Sequence, residues 1–350
     1  MFTRNISKVV FQNQYKTCFT LFIRKGKYYT SPDFPTVIEE TLNKYFYDVN
    51  DKFEIRILGK YKNKGLMEVK EFQPIIQVIG HGLEPIVLES LLLNVTQREL
   101  FYTTRLLEFK NVIKKYFPRA KVLEFGLRRA PDIKLAYRIS EIAAKLGYLT
   151  SNMMLYDKYS EKITGTLPHA FIQYGLFSGE YENEVQLWKY LLENNLTDTI
   201  LPDTIDTIVL LKKLLPVLDP NKIRGVKIRL DSGDHVELIK EIAKINTLID
   251  VKYILSGDYD IDKVKYVGEN LEEEYRNKVI GIAGGTQIVN NTKPLSIVYK
   301  LTGIYKNGKW IPVKKLAPGK KQIEGVKYYD YIENKLKPKL SPFPNDTAVY

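Results

Sequence analysis

Residues 226–234 read VKIRLDSGD, an apolar run of strand-forming residues that ends in a group of carboxylate, hydroxyl and glycine residues. Comparable runs recur from residue 121 onward at spacings of about 15 to 35 residues, with helical segments such as NEVQLWKYLLENN between several of them. This alternation predicts repeated β/α units and a parallel sheet, either an open doubly wound sheet or a closed barrel. The other runs are KVLEF at 121–125, GYLTS at 147–151, KITGT at 162–166, TILPD at 199–203, VKYIL at 251–255 and VIGIA at 279–283.

Polar or glycine residues follow every one of these runs. Ligands of both architectures bind beyond the carboxyl ends of the parallel strands, which is where these residues are expected to lie. Any one group is equally well explained as an ordinary turn, but together they predict one shared pocket. The groups are Gly126-Leu127-Arg128-Arg129, Thr150-Ser151-Asn152, Thr166-Leu167-Pro168-His169, Asp203-Thr204, Asp231-Ser232-Gly233-Asp234, Ser256-Gly257-Asp258 and Gly284-Gly285-Thr286.

The basic and glycine residues among these groups are suited to anions. Arg128, Arg129 and Arg229 could each hold a carboxylate or phosphate through two hydrogen bonds, although Arg128-Arg129 is also compatible with a solvated surface pair. Gly284-Gly285 could bring main-chain N–H groups close to a phosphate, particularly if a helix starts at Thr286; a plain turn is the alternative.

The acidic residues and the histidine each have a structural alternative. Asp231 and Asp234 could accept hydrogen bonds from ribose hydroxyls or hold magnesium, or could cap the helix that follows. A lone histidine such as His169 is more often structural than catalytic, but its position among the strand-end groups favours a functional role.

The first part of the chain follows a different pattern. The short runs FEIRILG at 53–59, GLMEVKEF at 65–72 and PIIQVIG at 74–80 predict strands of an antiparallel meander. Residues 84–116 contain no Gly or Pro after Pro85 and carry apolar residues at helical spacing, which predicts a long buried helix or a pair of helices.

Composition limits the classes of partner. The 53 Lys and Arg residues exceed the 41 Asp and Glu residues by 12, which favours polyanionic partners. No basic run is interleaved with aromatic residues, so a nucleic-acid partner is not predicted. The single cysteine, Cys18, excludes disulfide frameworks and multi-cysteine zinc sites. Charged residues interrupt the first apolar run, so we expect a soluble, cytoplasmic protein without a membrane partner.

Seven motifs resemble, in order and spacing, the signature of nicotinate phosphoribosyltransferases, within the type II phosphoribosyltransferases that also include nicotinamide and quinolinate enzymes. The motifs are EFGLRRAP at 124–131, TSN at 150–152, GTLPHAF at 165–171, DTIDT at 203–207, KIRLDSGD at 227–234, SGD at 256–258 and GIAGGTQIV at 281–289.

The resemblance implies an α/β fold in three parts. Residues 1–116 would form an N-terminal α/β sandwich with the long helix, and residues 117–293 an irregular, seven-stranded TIM-like β/α barrel that carries the active site. Residues 294–350 would return to the N-terminal lobe.

The resemblance also implies a reaction. Nicotinate would react with 5-phosphoribosyl 1-pyrophosphate to give nicotinate mononucleotide and pyrophosphate, a step of NAD biosynthesis. Mg²⁺ would be the cofactor, ATP the cosubstrate and His169 a phosphorylated residue, in a homodimer or higher homo-oligomer with shared active sites.

Roles carry over to matching positions, and the catalytic set would be His169, Asp203 and Asp231. Asp203 would orient His169, Asp231 would contact ribose hydroxyls, and no side chain is predicted as a dedicated metal ligand. The resemblance places Phe125 against the pyridine ring and Arg128, Ser151 and Arg229 around the nicotinate carboxylate and phosphoribosyl group. The phosphate-binding residues would be Ser256, Gly257, Asp258, Gly284, Gly285 and Thr286.

Two features leave alternatives open. GTLPHAF and Ser151 favour nicotinate over quinolinate and nicotinamide, because a nicotinamide enzyme is expected to place an acid at 151 and quinolinate enzymes lack the ATP-linked histidine. The family's N-terminal Thr-Asp-x-Tyr motif is replaced by Thr30-Ser31-Pro32-Asp33-Phe34. Either Tyr28, Tyr29 or Phe34 supplies the stacking ring, or the clamp is lost and the chain is a catalytically altered paralogue that binds nucleotides.

Overall fold

The computed structural model describes residues 15–46, 48–58, 66–178, 180–289, 295–313, 323, 325–330 and 335–338. Contacts divide the chain into two compact units, residues 1–104 with 292–350 and residues 105–291. The domain limits predicted from the sequence, at 116 and 293, stay a prediction. Within the described ranges, no helix combines the length and hydropathy that a membrane span requires.

The strands and helices are numbered in chain order. The strands are β1 (Lys16–Ile23), β2 (Lys27–Thr30), β3 (Glu54–Ile57), β4 (Met67–Lys70), β5 (Pro74–His81), β6 (Lys121–Glu124), β7 (Leu149–Thr150), β8 (Thr199–Ile200), β9 (Gly225–Leu230), β10 (Asp250–Leu255), β11 (Val279–Gly284), β12 (Ile297–Lys306), β13 (Lys309–Pro312), β14 (Lys327–Asp330) and β15 (Lys335–Pro338). The α-helices are α1 (Phe34–Tyr45), α2 (Val49–Lys52), α3 (Glu89–Tyr116), α4 (Ile133–Lys145), α5 (Tyr156–Tyr159), α6 (His169–Phe177), α7 (Glu184–Glu193), α8 (Thr207–Leu214), α9 (His235–Ala243), α10 (Ile261–Asn270), α11 (Glu273–Lys278) and α12 (Thr286–Val289).

A parallel sheet forms the centre of the second unit, as the sequence predicts. Its strands are ordered β7-β6-β11-β10-β9-β8, and each neighbouring pair is parallel. The run KITGT is an exception, because within the described residues it contributes only one parallel bridge, between Ile163 and Thr150. With Ile163 beside β7, the strand order is that of a seven-membered barrel opened between its third and fourth members. The prediction of an α/β fold with an irregular TIM-like barrel is therefore confirmed, with six strands and a bridge.

Helix starts in this unit follow from local side-chain chemistry. Asp or Asn at the N-cap accepts a main-chain hydrogen bond from the first turn, which satisfies a donor that has no partner inside the helix. Four of the five capped helices, α4, α8, α9 and α10, follow a strand of the sheet, so their caps fix where the strand-end turns stop, whereas α7 follows α6. These N-cap residues are Asp132 of α4, Asn183 of α7, Asp206 of α8, Asp234 of α9 and Asp260 of α10.

An antiparallel sheet ordered β13-β12-β1-β5-β3 forms the first unit. Strand β12 pairs with β1 along the whole of β1, so the segment after the barrel completes this sheet. The predicted sequential meander is wrong, because β3 pairs directly with β5 and β4 pairs with β2 in a separate sheet. The long helical stretch is one short 3₁₀ turn followed by the continuous helix α3.

Helix α1 covers this antiparallel sheet and makes the sandwich. Its residues Phe34, Ile38 and Leu42 are buried in one core cluster with Leu21 of β1 and Ile76 of β5. Pro35 in the first turn suits a helix start, because its fixed φ matches the helix and its missing N–H would have no partner there. Apolar burial at this spacing is the main source of stability for a short amphipathic helix.

The stretch that replaces the family's N-terminal motif is packed inside the first unit. Phe34 is 0% exposed, so its ring is held in the core and does not supply the stacking surface. The Ser31 hydroxyl is also buried and donates to Oε2 of Glu99 at 3.1 Å. The main-chain N–H of Tyr29 donates to Oγ1 of Thr104 at 2.8 Å. Of the three candidate rings, only Tyr28 and Tyr29 lie at partly exposed positions.

The core position of Phe34 predicts a large effect on stability. We expect Phe34→Ala to lower the free energy of unfolding by about 3–5 kcal/mol, because the removed ring leaves a cavity. Tyr45→Ala in the same helix is the matched control, since Tyr45 is 64% exposed and its loss should cost less than about 0.5 kcal/mol. Urea unfolding of both variants measures the difference, and equal midpoints would show that Phe34 is not a core residue.

Candidate active site

Arg229, in β9, connects three of the predicted strand-end groups. Its Nε donates to Oγ of Ser256 at 2.9 Å, its Nη1 to Oγ1 of Thr166 at 2.8 Å and its Nη2 to Oδ1 of Asp231 at 2.8 Å. Ser256 follows β10, Thr166 ends the KITGT run and Asp231 follows β9 itself. The three bonds fix the plane of the guanidinium group, and the carboxyl ends of the parallel strands meet around it.

The carboxylate of Asp231 is held ionised at this centre. Burial raises its pKa, but a hydrogen bond from Ser256 and the positive charge of Arg229 outweigh burial, so the pKa lies below its ordinary value. The Ser256 hydroxyl donates to Oδ1 at 2.6 Å, the same oxygen that accepts from Arg229. Asp231 is not the helix cap, since Asp234 has that role through the N–H groups of Val236 and Glu237.

His169 and Asp203 form a second group. His169 is the first residue of α6, and its Nε2 lies 2.7 Å from Oδ1 of Asp203. Oδ2 of the same carboxylate accepts from the Ser232 hydroxyl at 2.8 Å. The side chain of His169 is 37% exposed and that of Asp203 is 14% exposed, so a solvent-accessible imidazole is oriented by a largely buried acid. This pair spans the opening between the third and fourth members of the barrel.

Phe125, directly after β6, brings an aromatic ring to the same place. Its ring centroid is 5.8 Å from the guanidinium carbon of Arg229, and its N–H donates to the Gly284 carbonyl at 2.9 Å. The neighbouring Ser151 is placed by its own N–H, which donates to the carbonyl of Glu124 at 3.2 Å. The ring and the serine are set by the ends of the neighbouring strands β6 and β7, and the guanidinium group by β9 across the same edge of the sheet.

A buried carboxylate supports these loops from below. Glu124 is 1% exposed and its Oε2 accepts from the hydroxyls of Ser140 and Thr150, both at 2.7 Å. Its Oε1 accepts from the main-chain N–H of Gly126. Charge-assisted bonds of this kind are stronger than neutral ones, and they tie β6, β7 and α4 together beneath Phe125 and Ser151.

The glycine groups form two adjoining turns. Gly257 has φ +87° and Asp258 has φ +53°, and a Cβ on Gly257 would lie 2.0 Å from the Asp231 carbonyl oxygen. Thr286 is the first residue of α12, as predicted, and its hydroxyl donates to Oδ1 of Asp258 at 3.2 Å. Among the described residues, the N–H groups of Gly257, Asp258, Gly285 and Thr286 have no protein acceptor. Four main-chain donors are therefore left for an anion.

The structure thus brings most of the predicted site residues together. Arg128 is the exception: it is exposed in a 3₁₀ turn, and no hydrogen bond between described residues joins it to the cluster. The roles assigned to individual residues stay predictions. Thr166, Ser232 and Glu124 were missed as partners, although all three lie inside or beside the quoted motifs.

Glu184 is a further missed residue near His169. The pKa of Glu184 lies above its ordinary value, mainly because the carboxyl is buried and also because of the nearby charge of Asp203. The hydrogen bond from Trp188 and the charge of His169 act in the opposite direction. The indole Nε1 of Trp188 donates to Oε1 of Glu184 at 3.2 Å. The helix-start position of Glu184 gave no sequence signal of this proximity.

The carboxylates of this region bear on the expected Mg²⁺. Among the described residues, no group of three or more His, Cys, Asp or Glu side chains could hold a metal ion. Mg²⁺ is commonly bound by one or two carboxylates together with substrate phosphates and water. Asp231 supplies one such carboxylate, since only its Oδ1 accepts from Arg229 and Ser256 among the described residues, and this fits a metal that arrives with the substrate's pyrophosphate.

The chain is similar to known proteins along most of its length. A family model described as "Nicotinate phosphoribosyltransferase (NAPRTase) family" matches residues 120–337. The chain is 29% identical over 278 residues to a nicotinate phosphoribosyltransferase of Bacillus subtilis (strain 168), which covers 72% of this chain and 52% of that protein. It therefore spans about half the length of this curated relative.

Solved structures share the fold at low sequence identity. The nicotinate-nucleotide pyrophosphorylase of Pyrococcus furiosus aligns with a TM-score of 0.66 and 19% identity, covering 97% of this chain and 86% of that one. The human nicotinic acid phosphoribosyltransferase aligns with a TM-score of 0.56 and 17% identity, covering 93% of this chain and 75% of that one.

The turn at Gly257 generates a stability prediction with a matched control. Gly257→Ala and Gly308→Ala both place a side chain at positive φ, which costs about 1–2 kcal/mol. A Cβ at Gly308 meets nothing within 4 Å, whereas a Cβ at Gly257 overlaps the backbone of Asp231. We therefore expect the Gly257 variant to unfold at a clearly lower temperature than the Gly308 variant. Equal melting temperatures of the two variants would show that the Gly257 turn does not pack against the backbone of Asp231.

Proposed function

Because this chain belongs to the nicotinate phosphoribosyltransferase family, we propose that it forms nicotinate mononucleotide and pyrophosphate from nicotinate and 5-phosphoribosyl 1-pyrophosphate. The observation that carries the proposal is the Arg229 cluster, which holds Phe125, Asp231 and Ser256 around one guanidinium group. An aromatic ring, a fixed cation and an ionised carboxylate are the groups that a pyridine carboxylate and a ribose require.

Nicotinate would bind against Phe125 and beside the arginine. The ring of Phe125 offers a stacking face, and the positive charge of Arg229 attracts the substrate carboxylate. Ser151 offers a neutral hydroxyl rather than an acid, which favours a carboxylate over an amide substrate. Arg128 is exposed in the turn after β6, so its guanidinium group is accessible to the substrate carboxylate.

The phosphoribosyl donor would bind at the glycine turns. Asp231 would accept the ribose hydroxyls, and the main-chain donors of Gly257, Asp258, Gly285 and Thr286 would surround the 5-phosphate. Bound to the pyrophosphate, Mg²⁺ would neutralise the leaving group. The pyridine nitrogen then attacks the anomeric carbon as the bond to pyrophosphate breaks, so alignment and charge neutralisation contribute more than proton transfer.

His169 would couple this reaction to ATP. Asp203 accepts a hydrogen bond at Nε2, which selects the tautomer with its proton on that nitrogen and leaves the Nδ1 lone pair available. Attack of Nδ1 on the γ-phosphorus of ATP would form the N–P bond as the bond to ADP breaks. The exposed position of the imidazole is compatible with access by a nucleotide.

A homo-oligomer is proposed as the working form. Helix α6 carries exposed aromatic residues at helical spacing, Phe171, Tyr174 and Phe177, which are 44%, 71% and 89% exposed. Exposed apolar patches of this kind commonly mark interaction sites. Sedimentation analysis of the wild type and of Phe177→Asp tests the assignment, and a monomeric wild type would exclude it.

The cysteine at 18 is a buried free thiol, which fits the reducing cytoplasm.

A nucleotide-binding paralogue without turnover is the second candidate. It is favoured by the core position of Phe34 and the bonded state of Ser31, which leave the family's N-terminal motif without its usual residues. Calorimetric binding of nicotinate mononucleotide without product formation would support this candidate over the first.

The deciding experiment is a product assay with nicotinate, nicotinamide and quinolinate in parallel, each with the phosphoribosyl donor, Mg²⁺ and ATP. We expect product only in the reaction that contains nicotinate, and we expect it to be nicotinate mononucleotide. No product from any pyridine, with or without ATP, would rule out the proposed activity, and product from quinolinate alone would reassign the substrate.

The His169 assignment generates its own prediction. His169→Ala should lose the stimulation of the rate by ATP while keeping a weaker rate that does not depend on ATP, because the phosphoryl acceptor is gone but the transfer site is intact. His81→Ala is the control, since His81 is exposed at the end of β5 in the other unit. Initial rates with and without ATP measure the effect. Unchanged stimulation in the His169 variant would give that histidine a structural role.

A further inference from the structure

Lys263, in the first turn of α10, contacts one of the two glycine turns. Its Nζ donates to the carbonyl oxygen of Gly257 at 2.7 Å and lies 4.7 Å from the centroid of the Tyr259 ring. Its own main-chain N–H is held by the helix cap, Asp260, at 2.7 Å. The side chain is half-buried, and the Gly257 carbonyl and the Tyr259 ring hold its ammonium group in place.

The contact decides which way one peptide group faces. The peptide between Gly257 and Asp258 is trans, so its C=O and N–H point in opposite directions. With the Gly257 carbonyl directed at Lys263, the N–H of Asp258 points away from helix α10. That N–H is one of the main-chain donors without an acceptor among the described residues.

The same peptide is constrained on its other sides. Gly257 packs against the backbone of Asp231, and the side chain of Asp258 accepts from Thr286. Tyr259 is buried and its hydroxyl lies 2.8 Å from Nδ1 of His235. Burial, aided by the charge of Lys263, lowers the pKa of His235 to about 4, so this supporting ring is neutral at neutral pH. The positive charge beside the Gly257–Asp258 peptide therefore comes from Lys263 and not from His235.

We propose that Lys263 is a positioning residue for the 5-phosphate of the phosphoribosyl donor, acting through the Gly257–Asp258 peptide. Its ammonium group orients the Asp258 N–H toward the phosphate and polarises the peptide, because a hydrogen bond to a carbonyl strengthens the donor at the other end of the amide. The inference rests on the proposed function and adds to it a residue outside the family motifs quoted above.

The test compares Lys263→Met with Lys265→Met in the same helix. Lys265 is exposed and forms a surface ion pair with Asp262, so it is a matched control for charge removal. We expect Lys263→Met to weaken calorimetric binding of 5-phosphoribosyl 1-pyrophosphate with Mg²⁺ by about ten- to a hundredfold. The KM for this donor should rise in parallel, with the KM for nicotinate and the melting temperature little changed. Lys263→Arg, which keeps the charge and a donor, should restore most of the affinity.

The outcomes separate the inference from the proposed function. Equal donor affinity of the wild type and Lys263→Met overturns the inference alone, and so does an equal rise of both KM values. Absence of donor binding by the wild type overturns the proposed function and the inference with it. If Lys263→Met does not fold, Lys263→Gln replaces it, and wild-type affinity in that uncharged variant contradicts the proposal.

Discussion

The guanidinium group of Arg229 donates hydrogen bonds through all three of its nitrogen atoms, to Thr166, Asp231 and Ser256. A planar cation with fixed donors imposes geometry on its partners in a way that a flexible ammonium group does not. The bond to Thr166 also reaches the segment after the third member of the open barrel. The pair of His169 and Asp203 joins the segments after the third and fourth members, and the Thr166 bond joins the third member to β9. These side chains bridge edges between which the described strands provide no main-chain ladder.

This arrangement links the fold to the proposed chemistry. A transfer from a pyrophosphorylated ribose needs anionic groups held in register, and the parallel strands provide that register by ending at one edge. Asp231 connects the parts most directly: its side chain binds Arg229, and its carbonyl touches the Gly257 turn. A shift of β9 would therefore move Asp231, Arg229 and the Gly257 turn together.

The sequence predicted the parallel sheet and the collected strand-end groups because both depend on local patterns of apolar and polar residues. It failed where long-range pairing decides. KITGT carries a strand-like pattern but contributes one bridge, and β4 pairs with β2 rather than within a meander. The aromatic ring of Phe34 made it a candidate for stacking, but the ring is buried because helix α1 packs on the antiparallel sheet. The exposure of Arg128 also depends on the course of a turn, which composition does not specify.

The hydrogen-bond partners within the site, such as Thr166 and Ser232, could not be found without the register of the strands that place them. If this shared edge is the substrate site, a crystal structure of the protein with nicotinate mononucleotide should show the pyridine ring against Phe125 beside Arg229. The phosphate should lie at the N–H groups of Gly257, Asp258 and Gly285. A nucleotide bound elsewhere, or a phosphate away from these turns, would contradict this assignment.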